Sequence, residues 1–302
     1  MKRWLLYILI SISFLPFCSC YRDYQIKDKD FSPRIMLHSL VQADSLLNIF
    51  VSKTWLIGQA SVDTLPEATV SLFVNGEPED YMTAIPHSGD HLRLLVEAEG
   101  LPAVQATTVV PYRVKIDSLF CQRIDKNEMD IQVELTFQDP VGVPNYYGLG
   151  FYAVPYNSYG SFFVIDASKE PLFAYLDSYG ILDDVVRSNS YYYRGYLIPF
   201  SGQSIDGQRY TLRVTMAINQ FFWSDMDDIK ICLYSFSESY YIYLLSLLRS
   251  GINVLSDYGL ADPNQLYTNV ENGLGIFASC QVDTVHLSLN PNRSYICTVQ
   301  YH

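Results

Sequence analysis

Few side chains in this 302-residue sequence have the type and spacing that metal or acid–base chemistry needs. His87 and His91 stand i, i+4, as on a metal-binding helix, but Pro86 and Gly89 make their segment a turn. His38, His286 and His302 stand apart and no HExxH occurs, so no metal site is expected. Asp225, Asp227 and Asp228 are spaced to hold calcium, but they lack the Gly and the distant Glu of an EF-hand and read as a solvated turn, as does Asp183-Asp184. There is no GxSxG elbow, no GxxxxGK loop and no dinucleotide fingerprint. No catalytic residue and no cofactor is therefore expected. An acid pair for hydrolysis would be assembled in space, so a hydrolase stays open as a third reading.

The tyrosines are more suggestive. The chain has 25 Tyr and 16 Phe. Tyr146, Tyr147, Tyr152, Tyr156 and Tyr159 precede Phe162 and Phe163, and Tyr191, Tyr192, Tyr193 and Tyr196 follow. Consecutive tyrosines on a strand place rings on both faces, so some must face outward. An exposed ring offers a rigid apolar face with a polar tip, suited to protein partners or sugar rings. Core filling and cross-strand aromatic pairs are the plainer use of the same residues. The candidate binding aromatics are Tyr146, Tyr147, Tyr152, Tyr156, Tyr191, Tyr192 and Tyr193.

The N-terminus reads as an address. Lys2 and Arg3 precede an uncharged, mostly apolar run from Trp4 to Phe17, too short to span a bilayer and laid out like a secretory signal. Phe17-Cys18-Ser19-Cys20 follows, and a small residue before a cysteine is what lipoprotein processing requires. Cys20 is the candidate lipidation site, with Cys18 and an ordinary signal peptide as the alternatives. Residues 1–19 are then the signal peptide and 20–33 a polar tether. Cleavage removes Lys2 and Arg3 and no acid, so the charge moves from −12 to −14. Such acidity argues against nucleic acid as a partner and leaves membrane attachment to the lipid. Export permits disulfides. Cys280 and Cys297 flank an expected terminal hairpin and are the candidate pair; the alternative is that Cys121, Cys232, Cys280 and Cys297 are all small buried hydrophobes.

The elements that would position these residues are mainly strands. Arg34–Val41, Leu47–Thr54, Ala68–Val74, His91–Glu97 and Val104–Val110 are short apolar or β-branched runs, parted by turn signals such as Asn75-Gly76 and Ser88-Gly89-Asp90. Their spacing predicts a small β-sandwich over 34–112. Residues 113–302 read as a larger β-rich domain, with strands at Lys115–Cys121, Asp130–Phe137, Tyr146–Val154, Tyr191–Leu197, Tyr210–Ile218 and Ile229–Phe236, and an excursion over 155–190. Ser235-x-x-Glu238 has capping-box spacing, Tyr241, Leu244, Leu245 and Leu248 share a face, and Gly251 stands at a C-cap position, which predicts one core helix. Strands at Gln281–Leu289 and Tyr295–Tyr301 close the chain.

The stretch TNVENGLGIFAS, Thr268 to Ser279, resembles the signature of a family of Bacteroidetes lipoproteins, domain-of-unknown-function family 4249. PEATVSLFVNGE (66–77), GDHLRLLVEAEGLPAVQATTVVP (89–111), VKIDSLF (114–120) and SESYYIYLLSLLRS (237–250) resemble further parts of that family in the same order. Asn272-Gly273 and Gly275 permit a turn and a close backbone approach, with Ile276 and Phe277 then entering a core, so the motif reads as structural. The resemblance implies an Ig-like or transthyretin-like first domain, a larger β-rich second one, an outer-membrane lipid anchor and cooperation with TonB-dependent receptors. The expected function is thus a non-enzymatic binding or accessory lipoprotein beside such a receptor. An adhesin or surface-assembly subunit of fimbrial type is the alternative. Arg22 ahead of Asp23 departs from the acidic start of surface-exported lipoproteins, which leaves the exposed face of the membrane open.

Overall fold

Apolar residues alternate with polar ones along most of the chain, the period of a strand with one buried face. The computed structural model describes residues 31–55, 64–65, 67–123, 130–154, 163–174, 196–218, 228–252 and 265–288. Pro33–Trp55 and Ala60–His302 form one compact unit; the other, Met1–Ser32 with Leu56–Gln59, is almost wholly outside the described residues. The fold is mainly β with one helix among the described residues, as the sequence predicts.

The first sheet is small. It joins β3 (Thr69–Val74), β4 (Glu77–Glu79), β5 (His91–Glu97) and β6 (Val104–Val109) in the order β4-β3-β5-β6. Asn75 and Gly76, both at positive φ, make the β3–β4 turn. The second sheet joins β7 (Ile116–Arg123), β8 (Asp130–Gln138), β10 (Phe163–Asp166) and β12 (Arg209–Ile218) in the order β10-β12-β8-β7. The third has six strands: β1 (Ile35–Gln42), β2 (Phe50–Lys53), β9 (Tyr146–Val154), β11 (Tyr196–Ser201), β13 (Asp228–Phe236) and β14 (Leu274–Ser288), ordered β11-β9-β13-β14-β1-β2.

Two cores result. Leu72, Leu92, Leu94 and Val104 of the small sheet pack with Ile35 and Leu37 of β1 and Phe277 of β14. The larger core lies between the second and third sheets, with Phe137, Tyr147, Phe173 and Phe200 at its centre. Ring centroids there stand 5.2 Å apart for Phe137–Tyr147 and 5.4 Å for Phe173–Phe200, edge to face in both cases. Val110 belongs to the smaller core and Val114 to the larger, so the chain passes from one to the other close to 112. The six-stranded sheet, however, is continuous across that division. β1 pairs in parallel with β14, Leu37 opposite Gly275 and Gln42 opposite Cys280. Residues 34–112 therefore do not close a sandwich by themselves, because their second layer needs a strand from the far end of the chain.

Helix α1 (Glu238–Ile252) starts later than the capping-box spacing predicts. Ser235 still belongs to β13, opposite Gln281 and Tyr147, and ladder pairing on both sides outweighs a cap. Ser237 takes that role instead: its Oγ accepts from Tyr240 N at 3.4 Å and its carbonyl from Tyr241 N at 3.1 Å. Gly251 lies inside the helix and does not end it.

The parallel pairing of β1 and β14 depends on a missing side chain. Gly275 has φ +101°, and a Cβ there would collide with the Leu37 carbonyl. Gly76 has φ +91° but open space around its Cα. The two sites separate backbone strain from collision. Gly76→Ala should cost about 1 kcal/mol and Gly275→Ala roughly 3 kcal/mol or more, read from urea unfolding midpoints. Equal costs would show that β1 and β14 separate without penalty.

Candidate functional site

A cleft of about 920 Å³ opens beside the small sheet. Its floor is the outward face of that sheet. β5 turns Leu92 and Leu94 inward, so His91 and Arg93 face out; β6 does the same with Thr107 and Val109. Facing the floor are the β8–β9 loop with Val143 and Pro144, then Tyr146, Glu238 at the start of α1, and Tyr267. Tyr112, 70% exposed, stands at the mouth.

Two hydrogen-bond clusters hold these walls together. Asn269 Nδ2 donates to Thr107 O (2.9 Å) and Phe277 O (2.7 Å), and Asn269 Oδ1 accepts from Phe277 N (3.0 Å). One side chain thus bridges β6 and β14 where no backbone ladder runs. The Ser279 hydroxyl donates to Val109 O at 2.7 Å, and its peptide exchanges bonds with Ser237 at the helix start. Floor and helix are therefore both fixed to β14.

Within the cleft, Tyr146 stacks on Tyr241 with centroids 4.8 Å apart, and its hydroxyl donates to Glu238 Oε1 at 3.0 Å. Burial, with the bond to Glu238 and the charge there, pushes the Tyr146 hydroxyl up to about 12. Burial and the same charge raise Tyr267. Arg93 sits over Phe73, its guanidinium carbon 3.9 Å from the ring centroid.

The predicted aromatics divide by strand face. Tyr146 lines the cleft. Tyr147, the next residue, points the other way and is fully buried, which corrects its reading as a binding residue. Tyr152 shares the Tyr146 face but accepts a bond from Tyr234 O–H at 3.0 Å on the half-buried face beneath α1. Tyr156, Tyr191, Tyr192 and Tyr193 lie outside the described residues, as do Cys20 and Cys297. Cys280 is buried, and desolvation lifts its thiol to about 11. His87 Nδ1 meets Asp44 Oδ1 at 2.7 Å on the surface, whereas His91 lines the cleft. Among the described residues no three His, Cys, Asp or Glu side chains gather as a metal site. Sequence reasoning missed Phe73, Arg93, Tyr112, Glu238 and Tyr267, which come from five segments and share no local pattern.

Three buried carboxylates are bound into the frame. Asp139 accepts from Tyr147 O–H (2.5 Å), Gly207 N (3.0 Å) and Asn145 Nδ2 (3.2 Å). Glu170 accepts from Tyr210 O–H (2.6 Å), Arg213 N (2.7 Å) and Leu172 N (3.3 Å). Asp283 accepts from Ile116 N (2.8 Å) and faces Arg113 at 3.1 Å. Each ties chain segments together, which is a structural use.

Two measurements test these assignments. Tyr147→Phe removes a donor from buried Asp139 and should cost about 1–3 kcal/mol in denaturant unfolding; no change would mean the carboxylate is solvated in the folded chain. Tyr146 and Tyr240 are both held near 12, above the ordinary 10, by burial first. Folded values above unfolded ones give stability that is complete below pH 10 and lost as pH climbs from 10 to 12. Tyrosinate absorbance should therefore lag in the folded chain. Glu238→Gln should release part of that lag, while a lag independent of Glu238 would detach Tyr146 from it.

Comparison with curated proteins and with solved structures found no match. A family model does match, over residues 22–286, and that span covers the cleft, both cores but for Leu287, and every strand among the described residues but for the last two residues of β14. The chain belongs to the family described as Domain of unknown function (DUF4249).

Proposed function

We propose that this chain is a lipid-anchored envelope protein that binds a ligand in the cleft beside the small sheet and serves a TonB-dependent outer-membrane receptor, without catalysing a reaction itself. The observation that carries the binding role is the cleft: about 920 Å³, walled by aromatic rings and by charged groups of both signs, and built on side chains fixed to β14. The anchor rests on Cys20 behind Ser19 and the apolar run from Trp4 to Phe17. Binding is favoured over hydrolysis because the buried carboxylates Asp139, Glu170 and Asp283 spend their oxygens on donors of their own fold.

Membrane fractionation of the full chain tests the anchor. Cys20→Ala should move the protein from the outer membrane to the soluble periplasm; retention of the variant in the membrane would remove Cys20 as the anchor. Affinity capture from detergent-solubilised envelopes tests the partner. Recovery of a β-barrel receptor supports the accessory role, and recovery of only the chain itself or of a filament favours an adhesin or assembly subunit.

A further inference from the structure

We propose that the cleft takes a short peptide with free ends, its carboxylate held by Arg93 and its ammonium by Glu238. The proposal rests on the binding role above and names the class of ligand for that site.

Arg93 carries the first half. Arg113, Arg209 and Arg213 each face a carboxylate, Asp283, Asp117 and Glu134 in turn. Arg93 instead lies on the Phe73 ring, and among the described residues nothing accepts from its guanidinium. Contact with the ring holds the guanidinium carbon 3.9 Å from its centroid and leaves the N–H fork without an acceptor among the described residues. A carboxylate is the planar, bidentate group that this fork matches. His91, two residues earlier on the same outward face of β5, lines the cleft as well.

Glu238, at the start of α1 and in the lining of the same cleft, carries the second half. One of its oxygens accepts from Tyr146, and among the described residues no cation pairs with it. Tyr146 and Tyr267 line the same cleft as this carboxylate. A carboxylate in a cleft that also holds tyrosine rings suits an ammonium, which is drawn to both kinds of group. Val109, Val143 and Pro144 give the same cleft an apolar part of its lining.

Two further observations narrow the class. The carbonyls of Thr107 and Val109 on β6 are taken by Asn269 and Ser279. An incoming strand would find these acceptors occupied, so recognition falls to side chains at the ligand's ends and not to a backbone ladder. The whole chain carries −12, a field that repels polyanions but not a ligand of zero net charge. A volume of about 920 Å³ is of the size that encloses a small molecule, not a folded partner.

The test uses the full chain in detergent and calorimetry with tetra-alanine, the same peptide with an amidated C-terminus, the same peptide with an acetylated N-terminus, galactose and galacturonate. Tetra-alanine should bind, and blocking either end should weaken it roughly tenfold or more. In Arg93→Gln amidation should lose its effect, and in Glu238→Gln acetylation should lose its effect. The comparison of blocked and free peptides on the unmodified chain decides the matter even if a variant fails to fold. Equal binding of free and blocked peptides overturns the charge pairing. Binding of either sugar without tetra-alanine overturns the peptide but keeps the binding role. Failure of every probe overturns the peptide proposal, while the anchor and the receptor partnership are read separately by fractionation and affinity capture.

Discussion

The strand β14 joins both cores of the described structure. It pairs antiparallel with β13 on one side and parallel with β1 on the other. Along its length it changes core: Phe277 fills the smaller one, and Val285 and Leu287 the larger. Parallel pairing of strands so far apart in sequence closes a very long loop, an entropic cost that local contacts do not offset. Burial on both faces of the sheet, the close approach allowed by Gly275 and the side-chain bridge of Asn269 supply the compensation. The two cores are joined by shared backbone and not by a surface contact.

The cleft inherits its geometry from that strand. Ser279 holds the end of β6 through its hydroxyl and the start of α1 through its peptide, so neither wall can shift without breaking bonds to β14. Polar groups in the cleft fall into two kinds. Asn269 and Ser279 are consumed in support, whereas Arg93 and Glu238 carry charge that their surroundings orient without neutralising. Such a division, with spent groups behind and charged groups in front, is what pre-organises a site for recognition.

Much of the architecture is legible in order along the chain. Thr69–Val74 and His91–Glu97 fall on strands expected from short apolar runs between turns, Asp130–Gln138 and Asp228–Phe236 on strands expected from alternation, and Asn75-Gly76 makes the expected turn. The GLGIF run behaves as its glycines suggest, with a close approach at Gly275 and Phe277 in a core. Departures arise where neighbours compete. Ser235 reads as a helix cap by local spacing, but pairing on both sides keeps it in β13. Tyr146 and Tyr147 look alike in sequence, yet the pleat sends one to the cleft and the other into the core beside Asp139. The cleft itself was illegible: Phe73, Arg93, Glu238 and Tyr267 are separated by long stretches, and no local period relates them.

What the sequence by itself determines here is local: which runs are strands, where one helix lies, where turns need glycine, and the charged-then-apolar N-terminus that ends in Cys20. Those properties follow from side-chain alternation and backbone sterics over a few residues. Only the tertiary structure decides that β1 and β14 share a ladder, that the segment 34–112 borrows its second layer, and that Arg93 and Glu238 face one cleft. Each of these depends on contacts between distant segments, and such contacts are selected by burial and packing of the whole chain, which no window of sequence contains.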